Sequence, residues 1–287
     1  MSPLNLSTGR EKFVENLKKD KRSSYTILAY GNDLSQFASF LAEKNVDLVD
    51  RVTSDLINDF KKFLLEEKKY TPKSVSRKLN SIKAFFRYLV SIKTIENDPA
   101  ISVAHPKFTT NPPRILTKME YRALRDTVRN DPRMAAVIEI LLQTGMRIGE
   151  LARLEFENID EKDITIQACE AQPLRKVPLN SSAKKALERY LDHRPKSKAQ
   201  TIFVTKNHRA MNVRNIRSAI DRYFRLAGVK NVTVNDLRHT FIAHQLMAGT
   251  SPVRLQQVVG HKRLSTTEKY LEFIKDKVSS SEKLEEL

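Results

Sequence analysis

Two arginines, a histidine and a tyrosine could handle a phosphodiester if the fold brought them together: Arg147 in TGMRIGEL, Arg238 in NDLRHTF, His261 in VGHKRLSTTEKYL, and Tyr270 near the end of that last segment. A phosphodiester resists attack because its phosphate is negative and its sugar oxygen leaves poorly. A catalyst must neutralise the non-bridging oxygens, hold a nucleophile in line and protonate the departing oxygen. Guanidinium groups meet the first demand, since each can reach two phosphate oxygens at once, which a lysine cannot match. A hydroxyl placed beside them can attack. Gly145 is suited to end a helix running through Ala135 to Gln143, after which Arg147 opens another helix, where backbone amides also favour an anion. Glu150 is close enough in sequence to orient that arginine. Arg238 falls in the first turn of a further helix beginning near Asn235, a residue that serves both as an N-cap and as a donor to phosphate. Ser265-x-x-Glu268 has the pattern of a capping box that starts a short helix at Thr266 and carries Tyr270.

In wording and order these segments resemble the tyrosine recombinases, the phage-integrase and Xer-like enzymes that cut and rejoin DNA. The nine-residue step from His261 to Tyr270, with Ser265-Thr266-Thr267 between them, is similar to the family's GH…STT…Y signature. The resemblance implies that Tyr270 attacks to form a 3′-phosphotyrosine link, that Arg147 and Arg238 clamp the phosphate, and that His261 donates to it. Rejoining would then need no ATP, because the covalent link conserves the bond energy. Two positions depart from the family pattern. Asn235 stands three residues before the second arginine, where the family usually has His or Lys, and an asparagine cannot take a proton near neutral pH. Glu170 stands where the family carries the lysine that protonates the leaving oxygen, eight residues before the proline of Arg175-Lys176-Val177-Pro178-Leu179. Lys176 is the nearest basic substitute. These departures keep open an alternative, a recombinase-like protein that binds DNA and cleaves it weakly or not at all.

The elements that must position this chemistry fall into two groups. Up to about residue 100 the periodicity is helical. Ser23 and Ser24 precede a stripe of Ile27, Tyr30, Leu34, Phe37 and Leu41; Thr53 and Ser54 precede Leu56, Phe60, Phe63 and Leu64. Thr71 caps a helix with Pro72 in its first turn and an apolar seam of Val75, Leu79, Ile82, Phe86 and Leu89. Lys73, Arg77, Lys83 and Arg87 lie off that seam, giving a basic side suited to DNA phosphates. Pro99, Pro106, Pro112 and Pro113 then break the periodicity and indicate a linker. Beyond Thr117 helices alternate with short strands: ITIQA and KVPLN as a pair, and TIFVT as a third. The expected fold is mainly α with a small β-sheet. By the resemblance, a helical core-binding (SAM-like) domain spans residues 7–104, a linker 105–112 and an α+β catalytic domain 113–287.

Lys+Arg 51 against Asp+Glu 34 gives a net charge of +17, so a polyanion is the natural partner, and the excess is carried by both halves of the chain. Double-stranded DNA is the expected partner; the resemblance adds a homo- or hetero-tetramer on two DNA sites, with LEFIKDKVSSSEKLEEL at the C-terminus either docking on a neighbour or fraying. No cofactor is implied. There is no HExxH, no Gly-rich phosphate loop and one cysteine, Cys169, while His239 and His244 are five apart and do not share a helix face. No apolar run is long enough to span a membrane and the first residues lack a signal-peptide core, so a cytoplasmic, nucleoid-associated location is expected.

Overall fold

The computed structural model describes residues 4–109, 111–169 and 172–278. The chain divides into two compact units, residues 1–110 and 111–287. In the first unit, α1 (Leu6–Lys19), α2 (Ser24–Ala42), α3 (Ser54–Glu66) and α4 (Pro72–Ser91) are each stopped at the front by a side chain that accepts a backbone N–H: Asn5, Ser23, Thr53 and Thr71. Three of these caps match the expected ones. Helix α1 lies outside the expected set, although Leu6, Phe13 and Leu17 face the core from it.

Aromatic rings fill the centre of this unit. Phe37 meets Phe60 with centroids 5.0 Å apart, Phe40 meets Phe63 at 5.0 Å and Phe13 meets Phe85 at 5.7 Å, each pair adding about 0.5–1.5 kcal/mol beyond its burial. A buried carboxylate also lies in this unit. Asp33 on α2, 2% exposed, receives both guanidinium nitrogens of Arg77 at 2.6 and 2.8 Å, the Lys78 ammonium at 2.9 Å and the Ser81 hydroxyl at 2.6 Å. Burial alone would raise its pKa, but these donors outweigh it and hold the carboxyl below its ordinary value. The result ties α2 to α4. Ala100 and Val103 also lie in this core, so the buried chain of the first unit runs beyond its last helix.

The second unit contains α5 (Lys118–Thr127), α6 (Pro132–Thr144), α7 (Ile148–Ala152), β1 (Asp163–Ile166), β2 (Arg175–Pro178), α8 (Ser181–Asp192), α9 (Val213–Leu226), α10 (Val234–Met247), α11 (Pro252–Val259) and α12 (Leu264–Val278). Helix α6 is apolar on nearly every side, with nine of its thirteen residues buried, and so becomes the central element, packed against α8, α9 and α10. β1 and β2 pair antiparallel, Ile164 opposite Val177. The expected third strand does not form. Ile202, Phe203 and Val204 are all buried, Phe203 stacking on Tyr190, so there is no outward face to alternate; Thr201 and Val204 make only isolated bridges, to Glu155 and Ala210.

Two helix starts also differ from expectation. The cap of α10 is Thr233, whose N–H and hydroxyl both donate to the Asp236 carboxylate, and Asn235 lies inside the helix. Helix α12 begins at Leu264 and runs fifteen residues, so Ser265 is already helical. A second apolar cluster, Phe241, Ile242, Leu246, Leu255, Val259, Tyr270 and Ile274, fastens α12 onto α10 and α11.

Candidate active site

Two helices end in left-handed glycines, and the site is built between those ends. Gly145 closes α6 at φ 62° and Gly260 closes α11 at φ 67°. A glycine adopts this conformation without the cost a Cβ imposes. At Gly145 space demands it too, because a Cβ would collide with the Phe241 ring.

Past Gly145 the chain reverses, and Arg147 becomes the N-cap of α7. Glu150 returns to accept from the Arg147 backbone N–H at 2.7 Å and from its Nη1 at 3.0 Å. The other Arg147 nitrogen donates to the Gly260 carbonyl at 3.0 Å. Arg238, on α10, is buried and spans both ends, donating to the carbonyls of Gly145 and Val259 at 2.6 Å each. A third guanidinium completes the group. Arg175, on β2, makes a two-pronged pair with Glu150 at 3.0 and 2.7 Å and donates to the Val258 carbonyl at 2.9 Å. Burial would raise the Glu150 pKa, but the Arg175 bonds, the Arg147 N–H and both positive charges hold it below the usual carboxylate value.

Among the described residues the one carboxylate bonded to any of these three guanidiniums is Glu150, which pairs with Arg147 and Arg175 while Arg238 bonds only carbonyls, so the group carries uncompensated positive charge. Burial, and then the charge of Arg147, push the pKa of Arg238 down to about 9. It stays protonated at neutral pH, and an incoming anion would relieve that repulsion.

His261 follows Gly260. Its Nδ1 is 2.9 Å from the Thr267 hydroxyl in the first turn of α12. Burial, then the charges of Arg238 and Arg147, lower its pKa to about 4, so the imidazole is neutral at physiological pH. One helical turn beyond Thr267 comes Tyr270, 7% exposed, its ring stacked near His261 at a centroid distance of 6.4 Å. Its hydroxyl lies 2.6 Å from Nδ1 of His239 on α10. Burial raises the pKa of this phenol.

The structure therefore gathers Arg147, Glu150, Arg238, His261 and Tyr270 in one place. Asn235 is exposed one turn before Arg238. Lys176 is not brought in: alternation along β2 turns Arg175 inward and Lys176 out to solvent. Glu170 lies outside the described residues, as do positions 279–287 of the C-terminal segment. Two residues were missed by sequence reasoning. Arg175 stands beside Lys176, and strand alternation is the signal that separates them. His239 directly follows Arg238, and its spacing from His244 bears only on metal binding.

On α4 the four basic residues divide. Arg77 is bound to Asp33, and Lys83 donates to the Ile101 carbonyl at 3.2 Å. Lys73 and Arg87 are exposed and make no ion pair among the described residues. Within that same set no group of three or more His, Cys, Asp and Glu could hold a metal ion, and no helix is long and apolar enough to cross a membrane.

Comparison with known proteins adds to this geometry. Residues 114–276 match the phage integrase family, and residues 11–93 match the phage integrase N-terminal SAM-like domain. The chain is 30% identical to tyrosine recombinase XerC of Staphylococcus saprophyticus over 271 residues, covering 91% of each chain. It is 28% identical to the XerA recombinase, whose crystal structure it matches with a TM-score of 0.55 over 96% of this chain and 98% of that one. A lambda integrase tetramer bound to a Holliday junction shares the fold, with a TM-score of 0.75 at 16% identity over 91% of this chain and 78% of that one.

Proposed function

Because the chain belongs to the phage integrase family and is a tyrosine-type site-specific recombinase, we propose that Tyr270 cuts DNA by attacking a phosphodiester held by Arg147 and Arg238. The observation that carries this reading is the meeting of both guanidiniums, a neutral imidazole and the phenol at the facing ends of α6 and α11. Each group has a part. Arg147 and Arg238 neutralise the non-bridging oxygens, where charge builds in the transition state. In the tautomer whose Nδ1 accepts from the Thr267 hydroxyl 2.9 Å away, the His261 Nε2 carries the hydrogen and donates to the same phosphate. Glu150 and Arg175 position Arg147 and the α11 end rather than touching substrate.

Attack by Tyr270 forms a 3′-phosphotyrosine bond and releases a 5′ oxygen. The reverse attack by a 5′ hydroxyl rejoins the strand without ATP. Lys176 faces outward and Glu170 is acidic, so the proton taken up by the departing oxygen is assigned to water.

Duplex DNA is the substrate, met by the +17 chain. Lys73 and Arg87 on α4 contact its phosphates. The reading is completed by an assembly of four like or paired protomers across two sites, acting at the nucleoid; its four-protomer part is supported by the lambda integrase tetramer on a Holliday junction, which shares this fold. Incubation with a nicked duplex whose cut end diffuses away should leave a denaturant-resistant protein–DNA adduct. Tyr270→Phe should keep DNA affinity and lose the adduct; an adduct formed by Tyr270→Phe would move the nucleophile elsewhere.

A further inference from the structure

We propose that His239 is the group that takes the proton from Tyr270 during cleavage and returns it during rejoining. The inference rests on Tyr270 being the nucleophile. Asn235, the residue at the position from which the family's usual base would act, is exposed and has no side-chain nitrogen able to accept a proton. His239 Nδ1 is 2.6 Å from the phenolic oxygen, the distance over which a proton can pass. His239 and Tyr270 are held by packed helices, α10 and α12, whose cluster includes the Tyr270 ring.

The Tyr270 O–H bond breaks and its proton joins Nδ1 of a neutral His239 whose hydrogen is on Nε2. The phenolic oxygen bonds to phosphorus, and the bond from phosphorus to the 5′ oxygen breaks; that oxygen takes a proton from water. Rejoining runs the same transfers backwards, His239 giving its proton to Tyr270 as the phenol departs.

The surroundings suit a base that works only with substrate present. Among the described residues, the charged or titratable groups around His239 are Asp236 and Arg238 on its own helix, Tyr270 on α12, and His261 in the turn before α12. Burial lowers the His239 pKa; Asp236 raises it and Arg238 lowers it, with the downward effects prevailing. A bound phosphate offsets the arginine charge and thereby makes the imidazole more basic at the moment the tyrosine must ionise. Before that, the histidine is neutral and its Nδ1 is ready to accept.

The test is single-turnover adduct formation against pH, on a duplex with a bridging 5′ sulfur at the scissile phosphate, where the leaving group needs no proton. For the unaltered protein the rate should rise and level off on the limb of a single imidazole, well below the range in which a phenol ionises. A rate that keeps climbing toward the phenol's own range, about pH 10, would overturn the proposal. His239→Gln, which keeps a hydrogen-bonding side chain and cannot titrate, should bind DNA normally and lose about 10²-fold in adduct rate at neutral pH. Its profile should climb without a plateau, and a fluorinated tyrosine at position 270, being more acidic, should recover part of the loss.

If His239→Gln binds no DNA, the fluorinated tyrosine in the otherwise unaltered protein decides. A limb belonging to His239 stays in place, whereas a limb that moves down with the phenol's acidity belongs to Tyr270 and refutes the proposal. The two readings fail separately. An adduct surviving in Tyr270→Phe removes the nucleophile and the proposal with it; an adduct lost there but unchanged in His239→Gln removes His239 alone.

Discussion

Gly145→Ala should damage stability and chemistry together, and by amounts that can be separated. The glycine sits at φ 62°, and an alanine held there costs roughly 1–2 kcal/mol. Its methyl would also meet the Phe241 ring, which is 8% exposed and packed in the cluster that holds α12. Overpacking of that kind costs about 1–3 kcal/mol, so the whole change should amount to about 2–5 kcal/mol. Gly228 provides the control: it has φ 69°, and a methyl added there would find no atom within 4 Å, so Gly228→Ala carries only the backbone cost. The difference between the two denaturant midpoints measures the ring collision. Function should follow the same split. The Gly145 carbonyl accepts from Arg238 at 2.6 Å, and shifting the turn weakens a charged hydrogen bond of about 1.5–3 kcal/mol. That corresponds to roughly 10–100-fold in adduct rate, measured at low denaturant where both variants are folded, with Gly228→Ala unaffected. Equal stability losses in the two variants would refute the packing argument. A full loss of stability in Gly145→Ala with an unchanged rate would refute the coupling of this turn to Arg238.

Three further outcomes follow from the same geometry. Asp33 has a depressed pKa in the fold, so its contribution is present above its ordinary value of 3.8 and disappears as pH falls through the lower folded value; Asp33→Asn should flatten that acid limb of stability, and an unchanged limb would place the titration elsewhere. Lys73→Ala and Arg87→Ala should each weaken binding at all DNA sequences and lower the salt slope by about one unit, while Arg77→Ala should mainly destabilise α2 against α4 by leaving the buried Asp33 charge with fewer donors; equal salt effects from all three would show that Arg77 also reaches DNA. With water supplying the leaving-group proton, a 5′-sulfur duplex should be cleaved much faster than normal DNA, and Glu170→Lys should gain on normal DNA only; equal cleavage of both duplexes, with chemistry rate-limiting, would reveal an acid already present.

Local chemistry made much of this fold legible. Ser23, Thr53 and Thr71 act on backbone amides within three residues, and so their helices can be placed from the chain itself. A local signal was available at α10 too, where Thr233 donates its N–H and its hydroxyl to the Asp236 carboxylate three residues on, whereas the family position of Asn235 places the start two residues too far along. The segment Thr201–Thr205 failed for a different reason. A run of apolar residues has no period, so burial inside a helical unit and pairing in a sheet look alike. Arg175 and Lys176 show how charge alone misleads: both are cations, and only the inward register of β2 decides which one meets Glu150.

What holds the arginines was hidden for a more general reason. Arg147, Arg175 and Arg238 all donate to backbone carbonyls, those of Gly260, Val258, Gly145 and Val259, and every residue has a carbonyl. What makes these four special is their place at helix ends, where the last carbonyls have no partner within the helix and carry the negative end of its dipole. Each end is made by a left-handed glycine, and the two glycines are visible in the sequence as the second letters of TGMR and VGHK. The guanidiniums are thereby fixed by neutral acceptors that hold their orientation and leave most of their charge uncancelled, with Glu150 the single carboxylate among the described residues in direct contact with Arg147 and Arg175. A site held instead by several carboxylates would fix the same geometry and repel a phosphodiester. The glycine-ended helices are therefore part of the chemistry, since they allow three cations, two of them buried, to be held in position while still demanding an anion.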